Sequence, residues 1–178
     1  MFKRSLFKSL IKRLEEPRKF IQVLLGPRQV GKTTLALQVA EALKMPNYYA
    51  TADTAVLEDL SWLETQWEIA RQKCEGGKPV LFILDEVQKI PQWSELVKTL
   101  WDEDTRKDIP LKLIILGSSP WRVQKGWKET LAGRFETLPI THWNFSEMSH
   151  VLNWDLDRFI YLEGIPARLF WPMLQMFP

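Results

Sequence analysis

The sequence predicts an α/β domain of three layers, α/β/α. It is built on a five-stranded, mainly parallel sheet and preceded by an N-terminal helix. Three observations predict it. From residue 20 onward short apolar runs alternate with longer stretches of helical periodicity, the pattern of strand–helix–strand units that lay helices on both faces of a parallel sheet. Val80–Leu84 (VLFIL) is apolar at every position, as a strand buried on both faces must be. And a glycine-rich loop stands between an apolar run and a helix start, where such a sheet turns into its first helix.

Taken in order, Phe2, Leu6, Phe7, Leu10, Ile11 and Leu14 recur at helical spacing opposite Lys8 and Lys12, and Pro17 ends the pattern. Glu15, Glu16 and the short length favour a helix packed on the following domain over one lying on a membrane surface. Phe20–Leu25 is the first strand and Thr33–Leu43 the first helix of the core. Asn47–Ala50 is a short strand, and Ala55–Lys73 a helix with Leu57, Leu60, Leu63, Trp67 and Ala70 on one stripe. After the Gly76–Pro79 turn come the strand Val80–Leu84, the helix Trp93–Trp101 and the strand Leu111–Leu116. A short helix over Lys128–Ala132 is stopped by Gly133, and Phe135–Ile140 is the fifth strand, with Pro139 marking its end or an edge position. The chain divides into an N-terminal helix (1–19), the core (20–150) and a C-terminal helical segment (151–178).

Composition narrows the function. A net charge of +2 over 178 residues does not argue for a nucleic-acid or anionic-membrane surface. Nine tryptophans could stack on single-stranded bases, but they are not clustered with Lys and Arg, so packing is the expected role. Cys74 is the only cysteine, which excludes an intramolecular disulfide and a cysteine zinc cluster and fits a reducing cytosol. No apolar run approaches the roughly 20 residues that span a bilayer, so a cytoplasmic protein without a membrane segment is expected.

The chemistry begins at Gly26-Pro27-Arg28-Gln29-Val30-Gly31-Lys32-Thr33, which fits G-x-x-x-x-G-K-[ST]. Glycines let the loop amides turn inward as an anion nest, and the helix N-terminus adds partial positive charge. Lys32 is expected at the β- and γ-phosphates, the Thr33 hydroxyl at Mg²⁺, and Thr34 near the α-phosphate. Asp85-Glu86 follows the buried strand, on the edge of a parallel sheet where ligands bind. Asp85 suits an Mg²⁺ ligand, and Glu86 a general base that polarises water. Leu111–Leu116 ends in Gly117-Ser118-Ser119, and either Ser118 or Ser119 can serve as a sensor between the γ-phosphate and Glu86. Arg134, just past a helix end, either completes a neighbouring subunit's site as an arginine finger in trans or bonds the last helix carbonyls.

The order GPRQVGKTT, LFILDEVQKIPQW, LIILGSS, ETLAGRFE and WNFSEM resembles a bacterial and archaeal family of AAA-type P-loop ATPases, over roughly Ser5 to Pro166. The resemblance implies the AAA-type P-loop NTPase sheet, with the phosphate-loop strand central and the Asp-Glu strand separated from it by the sensor strand. It implies ATP and Mg²⁺ as cofactors, with Lys32, Thr33, Asp85 and Glu86 in the roles above. Arg134 matches the family's L-A-G-R arginine, and a homo-oligomer follows if it acts in trans. Members usually continue past Gly164-Ile165-Pro166 into a further C-terminal domain, so the resemblance implies a truncated member whose domain or protein partner is not in this chain. The expected function is an ATP-hydrolysing domain driving conformational change in a partner. The alternatives are a non-hydrolysing nucleotide switch or inactive remnant and, more distantly, a P-loop kinase or a GTPase. No N-K-x-D motif reads a guanine base.

Overall fold

The computed structural model describes residues 3–54, 59–118, 129–153 and 155–162. Its strands are β1 (Ile21–Leu25), β2 (Asn47–Thr51), β3 (Val80–Asp85), β4 (Leu111–Gly117) and β5 (Phe135–Pro139), and its α-helices α1 (Phe7–Glu15), α2 (Lys32–Ala42), α3 (Leu60–Gln72), α4 (Trp93–Arg106), α5 (Phe145–Leu152) and α6 (Leu156–Leu162). The sheet order is β2-β3-β4-β1-β5. All its pairings are parallel, so the expected mainly parallel sheet is wholly so. The phosphate-loop strand β1 lies between β4 and β5, and β4 separates it from the Asp-Glu strand β3.

Alternation along the strands sorts side chains into two cores. Val23, Val80, Phe82, Leu84, Leu113 and Ile115 face the layer of α3 and α4, with Leu63, Trp67, Val97 and Trp101. Leu24, Leu81, Ile83, Ile114 and Leu116 face α1 and α2, with Phe7, Leu10, Leu14, Leu35 and Val39. Arg13 of α1 donates to Glu136 of β5 at 2.7 Å, which fixes that helix across the sheet.

α1 begins at Phe7, with Leu6 as its cap, α2 spans Lys32–Ala42 in place of Thr33–Leu43, and two further helix boundaries differ from the periodicity. α3 begins at Leu60 because the Asp59 carboxylate accepts the Trp62 amide at 3.0 Å and caps the first turn. Leu57 lies outside the described residues. α4 continues past Trp101 through the polar run Asp102–Arg106. The reason is Asp104, fully buried, which accepts the Trp67 indole N–H at 2.9 Å and the Arg71 Nε–H at 2.7 Å. A charged residue there faces the core, and periodicity alone does not reveal it. Of the short helix expected over Lys128–Ala132, residue 128 lies outside the described residues, residues 129–130 are helical and 131–134 turn, with Gly133 at φ 77°. Among the described residues no helix is long and apolar enough to cross a membrane.

Asp104→Ala strands the buried Trp67 and Arg71 donors, so it is expected to destabilise the fold by about 3–5 kcal/mol. The check is a lowered denaturant midpoint at unchanged slope.

Candidate functional site

In a parallel sheet every strand ends at the same edge, so the segments after β1, β3 and β4 meet there. Gly26 donates its amide to the Gly117 carbonyl at 3.3 Å, and Ile140, just past β5, donates to Leu25 at 2.7 Å. The loop is therefore stitched to both neighbouring strands. Gln29 and Gly31 take left-handed backbone angles, φ 64° and 88°, and Gly31 caps α2. Only Gly31 needs its glycine for conformational reasons. Gly26 is required by crowding, because a Cβ there would lie 1.9 Å from the Ile140 carbonyl oxygen.

Lys32 is buried, and its ammonium donates to the carbonyls of Gly26 (3.0 Å) and Pro27 (2.7 Å). Burial lowers its pKa, opposed by the carboxylates of Glu86 and Asp85. The ammonium thus sits inside the loop, held by the loop's own carbonyls. Pro27, Arg28 and Gln29 are exposed on the rim, Val30 is buried beneath it, and Thr34 lies half-buried in the first turn of α2.

Asp85 and Glu86 are adjacent in sequence yet face different surroundings. The Thr33 hydroxyl donates to Asp85 Oδ2 at 2.9 Å, and the Tyr49 hydroxyl to the same oxygen at 3.0 Å. Burial raises the Asp85 pKa, opposed by those two hydrogen bonds. Tyr49 is pushed up to about 12 by burial and by the Asp85 charge. Glu86 turns away in a left-handed conformation, φ 53°, with its amide bonded to the Leu116 carbonyl at 3.1 Å. Its Oε2 accepts the Ser118 hydroxyl at 2.9 Å and the Gln88 side-chain amide. Among the described residues nothing donates to Glu86 Oε1. Among the described residues Gln88 Oε1 is buried without a partner. Donating its NH₂ to a carboxylate is the only sensible orientation of that amide, since the reverse would set oxygen against oxygen.

The structure thus joins Lys32, Thr33, Asp85, Glu86 and Ser118 along one edge. Ser119 lies outside the described residues. Arg134 lies elsewhere. Its carbonyl accepts the Ile21 amide at the start of β1, so it occupies the opposite edge, and its guanidinium forks onto Asp102 of α4 at 2.7 and 2.9 Å. It also reaches the Ala132 carbonyl at 3.2 Å. Sequence reasoning missed Tyr49 and gave Gln88 no role. Tyr49 shares a strand face with Thr51, which pairs with Asp85, but that follows only once β2 is known to pair with β3. Gln88, two residues beyond Glu86, was the more accessible signal.

Asp85 and Thr33 present two hard oxygen donors beside the glycine loop, and Glu86 a carboxylate oxygen free to accept a proton. Among the described residues no group of three or more His, Cys, Asp or Glu could hold a metal unaided, so ligand oxygens and water must complete any metal site here. A family model described as an AAA domain matches residues 18–149. That span runs from just before β1 into α5 and contains every residue of this site. No curated protein matches the chain.

The two loop glycines should differ under substitution. Gly31→Ala meets open space but an unfavourable φ, about 1–2 kcal/mol. Gly26→Ala drives a Cβ into the Ile140 backbone and is expected to lower the melting temperature further.

Proposed function

The chain belongs to the AAA domain family, and on that premise we propose that it binds ATP with Mg²⁺ and hydrolyses it to drive conformational change in a partner. One arrangement carries the reading: two neighbouring carboxylates at the phosphate-loop edge, Asp85 bonded to Thr33 and Glu86 to Ser118. A nucleotide-binding loop needs neither of the second pair, whereas hydrolysis needs a positioned base.

Lys32 exchanges the Gly26 and Pro27 carbonyls for the β- and γ-phosphate oxygens, while the loop amides and the N-terminus of α2 take the remaining charge. Thr33 and Asp85 fit Mg²⁺ as hard oxygen donors, Asp85 directly or through water, and Tyr49 holds the carboxylate in place. The ion supplies charge neutralisation on the phosphates. Ser118 and Gln88 fix Glu86 through Oε2 and leave Oε1 toward water. Oε1 takes a proton as the water oxygen bonds the γ-phosphorus. The bond from that phosphorus to the β,γ-bridging oxygen breaks, and ADP and phosphate leave.

Arg134 cannot serve its own loop. The five residues of β1 separate them, about 17 Å at strand rise. We assign it to the site of an adjoining copy, reached after the fork onto Asp102 opens.

Glu86→Gln is expected to keep ATP binding and cut turnover by about 10²-fold or more. Phosphate release and nucleotide titration are the measurements, and undiminished turnover would remove Glu86 as the base. Arg134→Ala alone should lose roughly 10³-fold. Mixing it with inactive Glu86→Gln protein should restore turnover, because each supplies what the other lacks. A mixture as slow as its parts rules out action in trans.

A further inference from the structure

Arg4 precedes α1 and has no counterpart among the residues assigned above, yet it is nearly inaccessible, at 7% exposure. One guanidinium there reaches three separate segments. Its Nη1 donates to the Val30 carbonyl in the phosphate loop at 2.7 Å, its Nη2 to the Thr141 carbonyl beyond β5 at 3.1 Å, and its Nε to Glu147 Oε1 in α5 at 2.9 Å. The Trp143 ring covers it, 5.0 Å from the ring centroid. Glu147 is itself fully engaged. It accepts the Ser5 amide at 3.0 Å and, through Oε2, the Asn144 amide at 3.2 Å, while the Asn144 side chain accepts the Glu147 amide at 2.9 Å in a capping box at the start of α5. Burial pushes the Glu147 pKa up, but these donors outweigh it and hold the carboxylate below its ordinary range. Neither member of the pair can leave without stranding the other.

The bond to Val30 has a geometric consequence. A trans peptide is planar, with its C=O and N–H pointing opposite ways. Holding the Val30 oxygen toward Arg4 therefore turns the Gly31 N–H to the other side. That amide belongs to the cap of α2 and has no protein acceptor among the described residues. Gly31 has a glycine's freedom at φ 88°, so without an anchor this peptide could flip.

We infer that Arg4 is a positioning residue for the phosphate loop, which fixes the Val30–Gly31 peptide with its amide toward the bound phosphate and ties the state of that loop to the capping box of α5. The inference rests on the reading of the loop as an ATP site. It gives the N-terminal segment a part in nucleotide binding without contact with the nucleotide. It also gives α5 a direct mechanical link to loop occupancy.

The test uses the full chain, with a fluorescent ATP analogue and ADP as probes, well below each variant's melting temperature. Arg4→Met is expected to weaken both nucleotides roughly tenfold, the effect of one charge-assisted hydrogen bond. Arg4→Lys keeps the charge opposite Glu147, but a single ammonium nitrogen cannot span the three acceptors that the planar guanidinium fork reaches, so it should fold even if Arg4→Met fails to, and still weaken binding several-fold. In wild type, ATP should slow amide exchange across Phe145–Leu152, and in Arg4→Lys that slowing should disappear. A merely structural role would lower the melting temperature and leave both affinity and nucleotide-dependent exchange as in wild type, which would overturn the inference. Lys32→Ala separates the two layers. If it abolishes binding while Arg4→Lys binds as wild type does, only the Arg4 inference falls. If wild type binds no nucleotide, the reading of the loop falls with it.

Discussion

The parallel ladder is the constraint on which the molecule depends. β3 pairs with β4 and β4 with β1 in continuous register, so Asp85 stands beside Leu116, and Leu25 beside Gly117. A slip of one residue would turn every core side chain to the wrong face and carry Asp85 away from Thr33. Burial enforces the register. Val80–Asp85 is buried at every position, and two separate cores grip its alternate side chains from opposite sides. The apolar strands thus place the acids, and the acids need no precise loop to do it.

The same placement explains how two consecutive carboxylates come to differ. Asp85 completes the strand and so belongs to the layer of α2, where Thr33 stands in the first turn of that helix. Glu86 leaves the strand through a left-handed turn and meets the end of β4 instead. One backbone step therefore separates a carboxylate beside a hydroxyl pair from one beside a serine and an amide. Local conformation, more than residue type, divides the labour.

Much of this was legible in the sequence. VLFIL declared a doubly buried strand, and strand, glycine loop and helix in succession declared the phosphate loop. Asp85 and Glu86 followed from their position at a strand end. Less legible were features set by partners distant along the chain. Tyr49 reaches Asp85 because β2 pairs with β3, and Arg4 meets Glu147 across the whole core. The end of α4 was hidden because Asp104 is a charged residue acting as a core residue, with Trp67 and Arg71 supplying its hydrogen bonds. The capping box could have been found, since Asn144 and Glu147 stand at the right spacing before an apolar run. The loop motif accounts for Gly26 only in part. Its glycine is demanded by the Ile140 carbonyl behind the loop as well as by any phosphate in front of it.

Lys32 gives the loop a further property. With its ammonium seated on the Gly26 and Pro27 carbonyls, the cradle resembles a lock whose tumbler already rests in place. On the proposed reading, a ligand arriving there would perform an exchange: two carbonyl bonds surrendered for phosphate bonds, with only the difference appearing as affinity. An anion with one weak oxygen would scarcely repay that exchange, whereas a polyphosphate offering several charged oxygens would. On that reading, discrimination against small free anions would follow from how the lysine rests.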